Sequence, residues 1–262
     1  MPDQILVLPG SVDSHCHTGP MTRDGLPTTQ LLSQVRELGM EAVIDVGIRP
    51  DDLEMRRKSL IGFDWVHFTS GIHPSEVNRT DRETLLDLLR TQAHGQQIVA
   101  VGEIGLDYHW DTGDRGAAID LLDRQVALAV ETDLPVIIHN READEDILAV
   151  LARHRPPGVM HCFSQSPDFC RRCLDLGLSI SFGGNLTYKR SDQIRESAAI
   201  VPDDRLLVET DAPYLSPVPV RGRPNHPGHL AFTLRALAEL RTADGEELAR
   251  VTAQNARALF RI

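Results

Sequence analysis

At 262 residues the chain is long enough for one large α/β domain or two small ones, either with a substantial core. With 41% hydrophobic and 25% charged residues it has the composition of a soluble globular protein, and no apolar run approaches the ~20 residues a membrane helix needs. A formal net charge of −11 argues against a broad basic surface gripping duplex nucleic acid by its phosphates. It leaves room for an anionic substrate met locally by metals and a few arginines.

The start of the chain lacks the basic and apolar regions of a signal peptide, so the expected address is cytoplasmic. Four cysteines (Cys16, Cys162, Cys170, Cys173) are too few for a disulfide framework. Cys170 and Cys173 form a lone C-x-x-C on a predicted helix and read as two small buried residues one turn apart.

In chain order, the apolar run Ile5 to Leu8 is followed by VDSHCH at 12–17. On a strand, His15 and His17 point one way and Cys16 the other, which suits a divalent metal but does not complete a site. A Gly/Pro-containing loop is expected to Pro27, then an amphipathic helix from Thr28 to Leu38, stopped by Gly39. A buried strand from Ala42 to Gly47 precedes a helix opened by Pro50 and running to about Leu60. The third strand, Trp65 to Thr69, leads into GIHP at 71–74. A helix from about Thr80 to Gln92, with Leu85, Leu86, Leu88 and Leu89 inward, feeds a fourth strand from Ile98 to Glu103.

The alternation continues with a helix at about 115–132, a strand at 135–139, a helix at about 142–154 and a strand at 158–161. A helix at about 167–176, a strand at 178–182, a helix at 191–200 and a strand at 205–211 follow, and helices at about 227–241 and 245–260 close the chain. Eight short apolar strands alternating with helices point to a (β/α)8 TIM barrel as a single domain over 1–262, with an open doubly wound sheet as the alternative. The chemistry-bearing residues favour closure. His15, His17, His73, Glu103, His139, His161 and Asp211 all fall at or just past predicted strand C-termini, which a barrel gathers at one mouth.

These segments resemble the successive motifs of the TatD family of metal-dependent hydrolases. The resemblance rests on VDSHCH at 12–17, GIHP at 71–74, VGEIGLDY at 101–108, PVIIHNR at 135–141, MHCFS at 160–164 and LLVETDAPYL at 206–215. It runs in order along the whole chain. It implies a TIM barrel of the metal-dependent hydrolase type with two divalent metal ions, and deoxyribonuclease activity on a DNA substrate. Carried over by residue, it puts His15, His17, Glu103 and Asp211 around one metal, with Glu103 bridging to a second held also by His139 and His161. The chemistry is consistent: a carboxylate can bridge two cations, and a metal lowers the pKa of bound water to about 7. Asp211 is then the expected proton acceptor, with Glu103 the other catalytic carboxylate.

The ions expected are zinc, manganese or magnesium. Imidazole-rich ligation favours the transition metals and zinc, whereas the family association favours magnesium. His73, Arg141, Tyr188, Arg221 and Arg223 are the expected substrate contacts, the last two in a Pro-stiffened loop, PVPVRGRPNHP at 217–227. Asp107, Tyr108, Ser164 and Asn185 can be read either as pocket-shaping or as structural, and Glu209 as a support from the barrel interior. The leading function is phosphodiester hydrolysis by metal-activated water, on single-stranded or frayed DNA ends. The alternative is an ester or amide hydrolase at the same centre, such as a D-aminoacyl-tRNA deacylase. The candidate stacking aromatics are Tyr108, Tyr188, Tyr214, Trp110 and Phe163.

Overall fold

The structure is a computed structural model that describes residues 5–110 and 114–262. Its strands are β1 (Val12–Cys16), β2 (Ala42–Asp45), β3 (Val66–Phe68), β4 (Val101–Asp107), β5 (Val136–Arg141), β6 (Gly158–Met160), β7 (Ser179–Phe182) and β8 (Leu206–Val208). All neighbours pair in parallel, in the order β1-β2-β3 and β4-β5-β6-β7-β8. Two single parallel bridges, Ser70 with Val101 and Cys16 with Ala212, join these arcs into a ring. The expected barrel is therefore present, and the open sheet is not.

Around it run α1 (Thr18–Arg23), α2 (Thr28–Glu37), α3 (Leu53–Ser59), α4 (Arg82–His94), α5 (Arg115–Glu131), α6 (Asp144–His154), α7 (Pro167–Asp175) and α8 (Asp192–Ile200), with α9 (Leu230–Arg241) and α10 (Gly245–Phe260) last. Three expectations need correcting. The loop expected after His17 contains α1, because Pro20 sits in its first turn, where a missing N–H costs nothing. Leu88 lies off the inner face of α4, whose buried positions are Leu85, Leu86, Leu89, Gln92 and Ala93. The fourth strand begins at Val101 and runs on to Asp107, so Glu103 is inside it, not at its end.

The period-2 alternation of the strands sorts two cores. Outward residues such as Val43, Val66, Val136, Ile138, Met160, Ile180 and Leu206 pack with the surrounding helices. Inward residues Val12, Ala42, Ile44, Ala100, Ile137, Val159 and Leu207 form a separate cluster, to which α10 adds Ala253, Ala256 and Phe260. Each fully buried aliphatic side chain there contributes about 1.5–3 kcal/mol. Along the same faces, two residues on, the chemistry changes: Ile137 is followed by His139, Val159 by His161 and Leu207 by Glu209. An apolar floor thus supports a polar layer.

Two ladders break register, between Asp13 and Cys16 in β1 and between Val101 and Ile104 in β4. Such irregularities re-aim side chains, and these two bracket His15 and Glu103. Beside the second, Gly105 has φ +150°, and a Cβ there would land on the His139 carbonyl. Gly105→Ala should therefore cost about 2–3 kcal/mol through forced strand separation, lowering the Tm by roughly 5–10 °C. Gly177→Ala, also at positive φ but facing open space, should cost about 1 kcal/mol from backbone strain alone. Thermal melts of the two variants check the ranking; equal losses would mean that the β4–β5 approach is not tight.

Candidate metal centre

Six of the residues singled out from the sequence converge at the C-terminal mouth of the barrel. His15 Nε2, His17 Nε2, Glu103 Oε2 and Asp211 Oδ1 form one quartet. The two imidazole nitrogens are 3.1 Å apart; His15 lies 3.5 Å from Glu103 and 3.7 Å from Asp211, and His17 lies 3.6 and 3.5 Å from the same oxygens. Around a cation with bonds of about 2.1 Å, tetrahedral neighbours sit roughly 3.4 Å apart. The quartet fits that spacing.

The other oxygen of Glu103 faces a second group. Its Oε1 is 3.1 Å from His139 Nδ1 and 2.9 Å from His161 Nε2, and those nitrogens are 3.5 Å apart. His73 Nε2 stands 3.5 Å from the same oxygen. The residues present could hold two divalent cations, with Glu103 reaching both.

What stands behind each ring decides which nitrogen faces the centre. His17 Nδ1 donates to the Val46 carbonyl at 2.8 Å, leaving the Nε2 lone pair directed inward. His139 is turned the other way, its Nε2 on Asp107 Oδ2 at 3.2 Å, so that Nδ1 faces Glu103. His161 Nδ1 rests on Glu209 Oε1 at 3.3 Å, and the same oxygen accepts from the Cys162 N–H at 2.7 Å. His73 differs: its Nδ1 accepts from the Ser75 N–H at 3.1 Å, so its neutral form carries the proton on Nε2. That ring can offer the centre a hydrogen bond, not a lone pair. Its loop is pinned from α5, where Gln125 accepts from Ile72 N–H and donates to Ile72 O.

The charges are strongly coupled. Burial favours protonation of Glu103, but the charges of His161 and His73 and hydrogen bonds from His139 and His15 hold it well below the usual carboxylate range. Burial likewise opposes ionisation of Asp211, and its hydrogen bond with His17 and the His15 and His161 charges overcome that. Burial works against a charge on His17, yet Asp211 and Glu103 lift it to about 8. Burial, reinforced by the His161 charge, pushes His15 down. Burial takes His73 to about 4 in spite of Glu103. His161 is raised well above its ordinary value because Glu103 and Glu209 outweigh burial.

The rim holds the other sequence candidates. Arg221 is exposed, and its guanidinium lies 4.2 Å from the centre of the Tyr188 ring, whose hydroxyl donates to Ser216 O. Arg223 is exposed on the same loop. Arg141 ends β5, exposed, 5.7 Å from the Trp110 ring. Tyr214, 48% exposed, meets His17 edge-on at 5.9 Å. Two of the expected stacking aromatics are elsewhere. Phe163 is fully buried among Phe169 and Phe182, and Tyr108 turns its hydroxyl to Asp146 under the Arg115 guanidinium. Asn185 is buried and donates to Cys162 Sγ; Ser164 is exposed, its carbonyl on Gln193.

The family model described as TatD related DNase matches residues 12–261. The chain belongs to the TatD family. Among curated TatD-family proteins, it is 38% identical to the uncharacterized metal-dependent hydrolase YcfH of Escherichia coli, over 96% of each chain. It is 34% identical to a protein of Pantoea ananatis named 3'-5' ssDNA/RNA exonuclease TatD, over 88% of this chain and 92% of that one. The crystal structure of YjjV, a TatD homologue from Escherichia coli, superposes with a TM-score of 0.88 at 30% identity, covering 98% of this chain and 100% of the other. The protein is thus a TatD-family metal-dependent hydrolase on a TIM barrel. No helix among the described residues is long and apolar enough to cross a membrane.

The inward residues are legible in the sequence, but most of their supports are not. Glu209 is read there as a support from the barrel interior and Asp107 as either pocket-shaping or structural; the Val46 carbonyl and Gln125 carry no signal, being main chain and an ordinary helix residue. Glu209→Gln should keep the fold while lowering divalent-ion affinity roughly ten- to hundredfold, since the carboxylate behind His161 makes the ring a stronger donor. Calorimetric titration of the metal-free variant measures this, and an unaltered affinity would mean that His161 needs no anion behind it.

Proposed function

We propose that the chain is a dinuclear divalent-metal phosphodiesterase, a deoxyribonuclease acting on single-stranded or frayed DNA ends. The observation that carries this reading is the division of the Glu103 carboxylate: one oxygen toward His15 and His17, the other toward His139 and His161. Bound there, two cations supply a hydroxide source at neutral pH and positive charge against the developing negative charge of the phosphoryl group. The chain's own residues do the rest. Asp211, kept ionised in the quartet, accepts the proton of the attacking water. His73, kept neutral by burial, offers its Nε2–H from the edge of the site. Glu209 and Asp107 hold His161 and His139 in the orientation the centre requires.

The nuclease part of the reading is supported by Arg141 and Arg221 at the rim of a chain of net charge −11, and by the name of the Pantoea relative. Glu103→Ala should abolish cleavage of a single-stranded oligonucleotide and leave fewer than two ions per chain by elemental analysis. Two ions bound, with activity retained, would remove the bridge. Wild-type protein that hydrolyses D-aminoacyl-tRNA or small esters while sparing DNA ends would replace the phosphodiesterase reading with the acyl one.

The exposed loop arginines give an independent test. In the Arg221→Ala, Arg223→Ala double variant, single-stranded DNA should bind more weakly. The slope of log K against log salt should shrink by roughly 0.7 for each phosphate the loop no longer neutralises. The Tm should barely change, because exposed charges contribute only ~0–1 kcal/mol. Unchanged affinity and slope would show that this loop does not meet the backbone.

A further inference from the structure

Outside the barrel wall, beneath the first half of the centre, Arg56 of α3 is 2% exposed. Its guanidinium uses all three nitrogens. Nε donates to Asp52 Oδ1 at 2.7 Å, Nη1 to Asp45 O and Oδ2 at 3.0 Å each, and Nη2 to Thr69 O at 2.8 Å. Asp45 ends β2, and Thr69 directly follows β3. Asp45 O also accepts the Thr69 N–H at 3.1 Å, in the last bond of the β2–β3 ladder, and one planar fork holds both carbonyls.

From these anchors the chain runs directly to two of the candidate ligands. Asp45 Oδ1 accepts from the Thr18 N–H at 2.8 Å, and the next carbonyl, Val46 O, fixes His17 Nδ1. Gly47, which passes so close to Arg56 that a Cβ would collide with Nη2, gives its carbonyl to the Glu103 N–H at 2.9 Å. Thr69 Oγ1 donates to Gly102 O at 2.5 Å, one residue before Glu103. His139 and His161 are instead oriented by Asp107 and Glu209, which Arg56 does not touch.

We propose that Arg56 is a positioning residue that sets His17 and the Glu103 backbone; because His17 belongs to the His15–His17 half alone while Glu103 is shared, Arg56 weighs more on that half of the centre than on the other. The proposal rests on the dinuclear reading given above. A buried ion pair adds little net stability over apolar residues of the same volume, whereas a five-donor fork fixes geometry in a way no apolar side chain can. Lysine keeps the charge but cannot span two carbonyls and two carboxylates.

The test is metal titration of chelator-treated protein with Mn2+ and Zn2+, read by calorimetry, for wild type, Arg56→Lys and Thr69→Val. Thr69→Val removes the hydroxyl, which donates to Gly102 O and accepts from the Gly47 N–H at 3.4 Å, and serves if Arg56→Lys folds poorly. A core truncation that removes none of the network's hydrogen bonds, Leu85→Ala in α4, is the control for general loosening. The expected result is two ions in wild type, with one of the two affinities weakened roughly ten- to hundredfold in Arg56→Lys. The weakening should be smaller but at the same site in Thr69→Val, and absent in Leu85→Ala. Two ions at wild-type affinity in both network variants would overturn the role of Arg56 alone. Loss of the same site in Leu85→Ala would overturn it too, as would equal weakening of both sites in Arg56→Lys. Wild-type protein binding a single ion would overturn the dinuclear reading, and this proposal with it.

Discussion

Glu103 Oε2 lies 3.5 and 3.6 Å from two imidazole nitrogens, and Oε1 lies 2.9, 3.1 and 3.5 Å from three more. Such crowding in a buried space is electrostatically costly without further cations. His15 and His17 cannot both be charged with their Nε2 atoms 3.1 Å apart, and two facing lone pairs at that distance repel as well. Their other neighbours drive the proton affinities of the two rings apart as well: burial and the His161 charge push His15 down, while Asp211 and Glu103 lift His17 against its burial. A divalent cation held there would remove the conflict, since His15 and His17 could both offer it a lone pair while both carboxylates stayed ionised. Filling the centre should therefore be coupled to stability, binding the native chain and not the unfolded one.

Bringing these groups together requires the barrel to depart from regular pairing at the places where ligands enter. At the β8–β1 seam side chains supplement the two main-chain bonds, Asp211 N–H to His15 O and His17 N–H to Ala212 O: Asp13 accepts from Thr210 N–H and Oγ1 at 2.9 and 2.6 Å, and Ser14 donates to Val208 O at 2.8 Å. Burial pushes Asp13 up to about 7 against those Thr210 hydrogen bonds. At the β3–β4 seam Thr69 and Gly102 do the same. Both seams flank a register shift, which frees His15 and Glu103 from the strict alternation that would otherwise decide which way they face. The polar layer thus depends on local irregularity, and the uninterrupted apolar layer below it keeps the ring closed.

This division explains what can be read in advance. An apolar run ending in a histidine or carboxylate is a visible pattern, so His139, His161 and Asp211 can be placed at strand ends from their own neighbours. Glu103 is legible as a site residue although its strand is not: Ile98 to Ala100 look as strand-like as Val101, and the shift to Val101–Asp107 follows from pairing with β5, a tertiary fact. Helix α1 is hidden because Gly19 and Pro20 mark a loop in isolation. Arg56 is hidden more deeply. With Asp52 four residues before it, it looks like an ordinary exposed helix pair; only the packing of α3 under β2 and β3 buries it.

An acidic chain can still address a polyanion if its field is local. The charges that oppose binding are spread over the surface, where at physiological salt they are screened beyond about 8 Å. Those that favour it are few and placed: Arg141 two residues beyond His139 on one strand, Arg221 over the Tyr188 ring, and any cations held at the candidate centre. Under the proposed reading this arrangement discriminates by shape as well as charge. Tyr214, half exposed against His17, and Trp110 beside Arg141 present flat faces that an unpaired base can cover and a stacked base pair cannot. The same rim offers little to a small neutral ester, which would meet the centre without touching either arginine. Recognition at the rim, more than the ligand set, is therefore where a phosphodiester and an acyl substrate would part.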